Sequence, residues 1–361
     1  MATAVRSFSK INLGLRIGPV RADGFHGLRT MYQTLALHDI VTVSAAKSNQ
    51  TRISIASNHP GVPTDDRNTA WRIVAEALTG LGILATVNIH IQKELPVQGG
   101  MGAGSANAAA ALLALERELG IALAPSDRLI LAASIGSDVP LFLVGGTSIG
   151  LDRGQEVIPY PDLPRTPCVI AVPTTGVSTP AAFREWDRIA AEAERSTFSA
   201  PDSLTQLSGS DRLEELGRIY ASVFSPTGDA SIGATGVSWA GSDKSNAEQA
   251  GDLAGNALLA LVRTGIENDF EEVVFRLNPP LRAIKQALLG HENGSLSAAQ
   301  AIDSKSSAIF AGLSGSGSAL FGLYHSVADA EAARQRVEAQ GVRAIVTSTL
   351  PRSEYWKTMF L

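Results

Sequence analysis

Cysteine is nearly missing from this sequence: Cys168 is alone among 361 residues. No intramolecular disulfide can therefore form, and neither can a multi-cysteine zinc or iron–sulfur site. Cys168 sits in the apolar run Cys168-Val169-Ile170-Ala171-Val172, where a small buried strand residue is expected rather than a nucleophile. A basic excess is also missing. The 30 Lys+Arg against 35 Asp+Glu leave a formal charge of −5, without the electrostatic footprint of a nucleic-acid binder. Long apolar runs are absent too. The longest, Ala108 to Leu115, falls far short of the roughly 20 residues that span a bilayer. The first fifteen residues carry Arg6 and Lys10 in an alternating pattern, with no apolar core of a targeting segment. The expectation is a soluble cytoplasmic protein with neither a membrane nor a nucleic-acid partner. A chain 45% hydrophobic and 18% charged is globular. At about 150 residues per domain, its length suits two domains.

What the sequence has in quantity is glycine, 34 residues of it, and the glycines cluster. Around them the pattern alternates between strand and helix. Residues 5–17 have period two: Val5, Ser7, Ser9, Ile11, Leu13, Leu15 and Ile17 share one face, with Arg6, Phe8, Lys10, Asn12 and Arg16 on the other. That predicts a half-buried strand. Further strands are expected at Thr30–Leu37, Asp39–Ser44, Arg52–Ala56, Thr86–Gln92, Val169–Val172, Ala319–Tyr324 and Val342–Thr347. Helical spacing marks Asn68–Leu81, Ala106–Leu119, Pro125–Ile135, Asn256–Leu261, Asn268–Arg276, Leu281–Leu289, Ser297–Asp303 and Val327–Gln340, and another helix is expected to start at Val139–Val144. Pro159, Pro161, Pro164 and Pro167 mark a junction between domains 1–165 and 166–361. Residues 195–251, rich in Ser, Gly, Asp and Thr, read as a surface insertion with a helical island at Asp211–Tyr220. Strands with half-polar faces, followed by helices, point to an α+β chain with antiparallel sheets.

The strongest local signal is Pro96-Val97-Gln98-Gly99-Gly100-Met101-Gly102-Ala103-Gly104-Ser105-Ala106-Asn107, which joins an alternating strand to an Ala-rich helix. Glycines allow backbone N–H groups to turn inward and a ligand to approach closely, and the helix start adds a partial positive charge. Together these make a phosphate cradle. It is not a Walker A loop, since no Gly-Lys-Ser/Thr follows, and Asn88, His90 and Gln92 in the preceding strand argue against a dinucleotide fold. Lys10 and Asn12 share the polar face of the first strand, where Lys10 alone would be read as solvated. Arg21 to Leu28 is a turn that sets His26 beside Phe25. Asp138, in Gly136-Ser137-Asp138-Val139-Pro140, is either a helix cap or a carboxylate with a chemical role. Leu313-Ser314-Gly315-Ser316-Gly317-Ser318 is either a flexible turn or a second backbone cradle.

Ser9-Lys10-Ile11-Asn12-Leu13, Asp23-Gly24-Phe25-His26-Gly27-Leu28, the glycine loop at 96–107, Gly136-Ser137-Asp138-Val139-Pro140 with Phe142, and Leu313-Ser314-Gly315-Ser316-Gly317 follow one another in an order that resembles one family. It is the 4-diphosphocytidyl-2-C-methyl-D-erythritol kinase family of the GHMP kinase superfamily. The resemblance covers roughly residues 5–183 and 254–324, with Gly154 and Glu156 fitting and Gln155 standing where the family usually has Gly. It implies an N-terminal domain like the second domain of ribosomal protein S5 and a ferredoxin-like C-terminal domain. It also implies transfer of the ATP γ-phosphoryl, with Mg²⁺, to the 2-hydroxyl of the cytidine-diphosphate-linked methylerythritol, a step of the non-mevalonate route to isoprenoids.

By the same resemblance Lys10 and Asp138 are the catalytic pair, with Asp138 taking the hydroxyl proton. Asn12, Phe25, His26 and Phe183 match substrate positions, with Phe25 in place of the usual Tyr against cytosine. Pro96, Gly99, Gly100, Gly102, Gly104, Ser105 and Asn68 match nucleotide positions; no metal ligand is indicated. The chain departs from the family pattern at Gln98, Met101, Ala103 and Ala106. Ala103 is expected to resist a positive φ, and Ala106 to lack a hydroxyl toward the metal. Two other readings stand beside this one: a GHMP kinase for a different alcohol, and a GHMP-fold binding protein without catalysis. The sequence indicates neither an oligomeric state nor a role for the insertion.

Overall fold

The computed structural model describes residues 2–21, 24–97, 99–197, 267–290 and 308–361. Asp23, Gln98, the expected helices at 211–220, 256–261 and 297–303, and nearly all of the insertion at 195–251 lie outside those residues.

The alternating segment forms β1 (Thr3–Val20), which pairs antiparallel with β2 (His26–Lys47). The two strands expected at 30–37 and 39–44 are one continuous β2, because the same antiparallel ladder runs through the expected break, pairing Phe8 with His38 and Ser7 with Asp39. Past β1, the other edge of β2 is shared: Ile40–Lys47 pairs with β4 (Ala85–Gln92), and Thr30–Gln33 with β5 (Thr147–Leu151). β3 (Arg52–Ser57) and β6 (Glu156–Pro159) close a six-stranded sheet in the order β3-β4-β2-β5-β6. β3 runs parallel to β4, the one departure here from the expected antiparallel pairing.

Helices α1 (Thr69–Leu81), α2 (Ala103–Leu119) and α3 (Pro125–Ile135) cover this sheet. α1 begins at Asn68, whose side-chain oxygen accepts the Ala70 N–H, and ends at left-handed Gly82. α2 is buried nearly all round, from Ala106 through Glu116, which explains its lack of an amphipathic stripe. Only a single 3₁₀ turn, Pro140–Leu143, follows α3.

The second sheet contains β7 (Pro167–Val172), β8 (Phe310–Leu313), β9 (Leu320–Leu323) and β10 (Arg343–Ser348), in the order β10-β7-β9-β8 and antiparallel throughout. Helices α4 (Thr179–Thr197), α5 (Phe270–Leu277) and α6 (Pro280–Leu289) lie between β7 and β8, and α7 (Val327–Glu338) between β9 and β10. Strand, helix, two strands, helix, strand in this spatial order is the ferredoxin-like arrangement. Among the described residues no helix is long and apolar enough to cross a membrane.

The two sheets share a core. Ile11, Leu13, Met31 and Leu35 of the first pack with Cys168, Ile170, Phe321 and Leu323 of the second. Cys168 is fully buried, and burial pushes its thiol pKa up, which keeps it protonated and inert. Helix α8 (Arg352–Thr358) then carries the chain back to the first sheet's core. There Leu350, Tyr355 and Met359 are buried, and the Tyr355 hydroxyl donates to the Phe142 carbonyl at 2.6 Å. The backbone N–H groups of Arg6 and Leu361 donate to the carbonyls of Met359 and Ala4, so 359–361 lies against the start of β1.

Candidate active site

β1 departs from the half-buried strand its alternation predicts. Its register shifts after Phe8 and again after Asn12, and Ser7 to Ile17 are buried without a break. The polar face is therefore an interior face. Lys10 is only 3% exposed, and its Nζ donates to Asn12 Oδ1 at 2.6 Å and lies 3.3 Å from Asp138 Oδ2. The solvated alternative for Lys10 is excluded, because a buried ammonium needs such partners. Asn12 is fixed in turn: its Nδ2 donates to Thr30 Oγ1 at 2.7 Å, and that hydroxyl donates to the Gly14 carbonyl at 2.8 Å. Asp138 is not a cap. Val139 occupies the N-cap of the 3₁₀ turn without a side-chain bond, while Asp138 points to Lys10 and to Tyr32, whose hydroxyl donates to Oδ1 at 3.0 Å.

The glycine loop lies between β4 and α2. Gly99, Gly100 and Gly102 have φ of 146°, 76° and 70°. Gly102 is the N-cap of α2 and gives it no side-chain cap, so the first N–H groups of the helix have no side-chain acceptor there. Ala103 is the first helical residue and has no positive φ; the expected strain at this position is absent because the left-handed turn is made one residue earlier. Ala106 is 2% exposed and packs in the core beneath α2. A hydroxyl there would point into the core, so its loss takes no metal ligand from the loop mouth.

The second loop, 313–318, is not a flexible turn. Ser314 is fully buried and its hydroxyl donates to the Gly100 carbonyl at 3.0 Å, while the Ala319 N–H donates to the Gly99 carbonyl at 3.2 Å. A Cβ on Gly100 would meet the Ser314 carbonyl oxygen at 2.0 Å, so this glycine is needed for the two loops to touch. Asn268, just before α5, donates from Nδ2 to the carbonyls of Leu313 (2.9 Å) and Gly315 (2.8 Å).

Both loops, Lys10, Asn12 and Asp138 line one cleft of about 1170 Å³, which Phe25, His26 and Phe183 also line at its other end. That volume suits a large ligand. Phe25 is 56% exposed, and the Arg153 guanidinium lies 5.2 Å from its ring centre. His26 is buried, with Nε2 2.8 Å from Asp187 Oδ1 and the Phe183 ring edge-on at 5.0 Å. Phe183 rests in turn on Phe270. Of the expected nucleotide residues, Gly99, Gly100 and Gly102 line the cleft. Gly104 and Ser105 lie beside it in the first turn of α2, where Thr69 Oγ1 donates to the Gly104 carbonyl at 2.7 Å. Asn68 turns away: its oxygen caps α1 and its Nδ2 donates to the Pro63 carbonyl at 2.8 Å. Pro96 precedes the loop and does not line the cleft.

Tyr32, Asn268, Arg153 and Asp187 are absent from the residues expected on sequence grounds. None of these carries a local signal; Tyr32 is placed by the ladder, directly opposite Asn12 across the β1–β2 pair. Burial, first, and the Asp138 carboxylate, second, push the Tyr32 phenol pKa well above its usual value, so it remains a hydrogen-bond donor.

Comparison with known proteins places the chain in a family. Residues 68–146 match the family model of the GHMP kinases N-terminal domain, and residues 243–343 that of the GHMP kinases C-terminal domain. The chain is 30% identical over 347 residues to the 4-diphosphocytidyl-2-C-methyl-D-erythritol kinase of Moorella thermoacetica, covering 95% of this chain and 98% of that one. It is 38% identical over 209 residues to the enzyme of the same name from a Nocardioides species, covering 57% of this chain and 70% of the relative. Among solved structures, a 4-(cytidine 5'-diphospho)-2C-methyl-D-erythritol kinase superposes with a TM-score of 0.63 at 23% identity, over 96% of this chain and 98% of the other. A homoserine kinase from Cytophaga hutchinsonii superposes with a TM-score of 0.62 at 18% identity, covering 97% and 95%. With one relative matched along almost its whole length and both family models placed in order, the chain belongs to the GHMP kinases, within the 4-diphosphocytidyl-2-C-methyl-D-erythritol kinase family.

Proposed function

We propose that this protein phosphorylates the 2-hydroxyl of 4-diphosphocytidyl-2-C-methyl-D-erythritol, with ATP as phosphoryl donor, in the non-mevalonate route to isoprenoids. The observation that carries this reading is the Lys10 ammonium, buried between Asn12 Oδ1 and Asp138 Oδ2 in a cleft that runs from the glycine loop to Phe25, His26 and Phe183. ATP supplies the γ-phosphoryl group. The Gly99–Ser105 backbone and the start of α2 hold its phosphates through N–H groups and the helix dipole. Asp138 accepts the acceptor's hydroxyl proton as the new P–O bond forms and the bond from the γ-phosphorus to the bridging oxygen breaks, releasing ADP, while Lys10 pairs with that carboxylate and offsets developing phosphoryl charge. Asn12 holds Lys10 in place. Phe25 stacks on the cytosine ring, and Phe183 and His26 bound its pocket.

Among the described residues no group of three or more His, Cys, Asp or Glu side chains could hold a metal by itself. A Mg²⁺ ion usually keeps its waters and binds one or two carboxylates together with substrate phosphates. That modest demand fits this cleft, where the ion would be carried chiefly by the ATP phosphates and water, and Ser105 in the first turn of α2 would offer a hydroxyl. We assign the kinase N-terminal domain to residues 1–165 and the C-terminal domain to 166–361, with residues 350–361 docked on the N-terminal core. The small-molecule substrate needs no nucleic-acid or membrane partner, and the cytoplasm suits such a reaction.

The test is ADP release by the purified chain given ATP, Mg²⁺ and the cytidylated substrate, repeated with Asp138→Asn. A folded Asn variant should bind ATP normally and lose at least about 100-fold in kcat. Full turnover by that variant would falsify the base assignment. Equal phosphorylation of methylerythritol phosphate lacking its cytidine would instead point to a GHMP kinase for a smaller alcohol.

A further inference from the structure

Tyr32 is fully enclosed in the floor of the cleft and gives its only hydroxyl proton to the catalytic carboxylate, with 3.0 Å from its oxygen to Asp138 Oδ1. Its ring also lies against Lys10, with Nζ 5.5 Å from the ring centre. Room for the hydroxyl has been cleared from the opposite side. A Cβ on Gly154 would stand 2.6 Å from the Tyr32 oxygen, and a Cβ on Gly150 would stand 2.5 Å from its ring. A phenylalanine would fill the same ring site and leave the space at Gly154 unused. We propose that Tyr32 is a positioning residue for the phosphoryl transfer: its hydroxyl ties down one oxygen of Asp138, so that the other oxygen, beside Lys10, is the one presented to the incoming hydroxyl.

The geometry constrains the carboxylate from two strands. Lys10 on β1 approaches Oδ2 and Tyr32 on β2 approaches Oδ1, so rotation of the carboxylate would break one contact or the other. The other ionisable groups lining the cleft are His26 from β2, Arg153 from the turn after β5, and Arg184 and Asp187 from α4. Among the described residues, Lys10 is the one cation within 4 Å of Asp138. A neutral donor held by burial thus adds orientation where the cation adds charge. A hydrogen bond to a charged acceptor is among the stronger ones, so its loss is visible in the rate.

This inference rests on the reading of Asp138 as the base, and the experiment separates the two. Tyr32→Phe keeps the ring and its packing and removes the hydroxyl alone. The kcat and both KM values are measured for the wild type, Tyr32→Phe and Asp138→Asn. The expected result for Tyr32→Phe is a fall in kcat of about 10-fold with KM values for ATP and acceptor within about 2-fold of wild type, a split that a general loss of packing would not give. An Asp138→Asn variant that is inactive, beside a Tyr32→Phe variant with unchanged kcat, overturns the role of Tyr32 and leaves the base in place. A fully active Asp138→Asn overturns the base, and Tyr32's role with it.

Discussion

The two glycine-bearing loops that meet over Lys10 share a composition and differ in what they do. Loop 99–104 runs into a helix, and its last positive φ, at Gly102, sits at the N-cap, so its N–H groups gather at the positive end of α2. Loop 313–318 joins two strands, and its Leu313 and Gly315 carbonyls are taken by Asn268. In the function proposed above, one loop serves as the anion cradle and the other as a buttress that fixes its position. What distinguishes them is the element that follows, since a strand adds no dipole of note at its start.

The largest effect expected from this contrast is at their meeting point. Gly100→Ala places a methyl 2.0 Å from the Ser314 carbonyl oxygen at a φ of +76°. The loops must part, ATP affinity should fall more than about 100-fold by calorimetry, and stability should drop by about 2–4 kcal/mol. A variant that binds ATP normally would mean that the cradle stands without its buttress. Asn268→Ala comes next. It leaves the buried carbonyls of Leu313 and Gly315 without a donor, so a loss of about 1–3 kcal/mol is expected in denaturant melts. ATP affinity should change less than about 3-fold, because the cradle keeps its own backbone; a larger change would merge the two roles.

Gly315→Ala is milder. The new methyl would lie 3.3 Å from Asn12 Oδ1 and 3.5 Å from Lys10 Nζ, at a φ of +57°. About 1 kcal/mol of backbone strain and a several-fold loss of kcat are expected, with the ATP KM unchanged. The smallest effect belongs to Ala103→Gly. Although it restores the family pattern, it should lower stability by about 0.5–1 kcal/mol and leave ATP affinity where it was, because the position is helical. A gain in affinity would show that the loop changes shape on binding.

Signals carried by neighbours in sequence were legible from the start. The turn chemistry of 99–104, the helix that follows it and the alternation of β1 are local, and they located the cradle and the strand bearing Lys10. The interior character of that strand was not legible, because what makes Lys10 burial tolerable is a carboxylate 128 residues away. The same holds for Tyr32, whose meaning depends on Asp138 from one side and on Gly150 and Gly154 from the other. Other elements were missed for different reasons. β5 is buried over most of its length and so lacks a period, and α8 has only seven residues. α4 is strongly amphipathic, yet its Pro180 and the loop-like Gly176-Val177-Ser178 before it masked its start; Phe183 therefore stands on a helix that the motif alone did not suggest. Asn68 is the converse case, a residue matched to the nucleotide by resemblance whose amide is occupied by capping.

Residues 350–361 give the molecule an order of assembly. The core beneath α2 includes Leu350, Tyr355 and Met359, and the ring of Tyr355 lies against Gly145. During synthesis the strands and helices of residues 3–159 emerge first, but the surface they leave for these side chains stays open. At about 5–20 residues per second, the intervening stretch of nearly two hundred residues takes roughly 10–40 seconds to make. For that interval the nascent N-terminal half displays an apolar site that only its own later chain can fill. A ribosome stalled just short of residue 350 would thus carry a kinase with its cradle built and its core unsealed, in the form most open to chaperones and proteases.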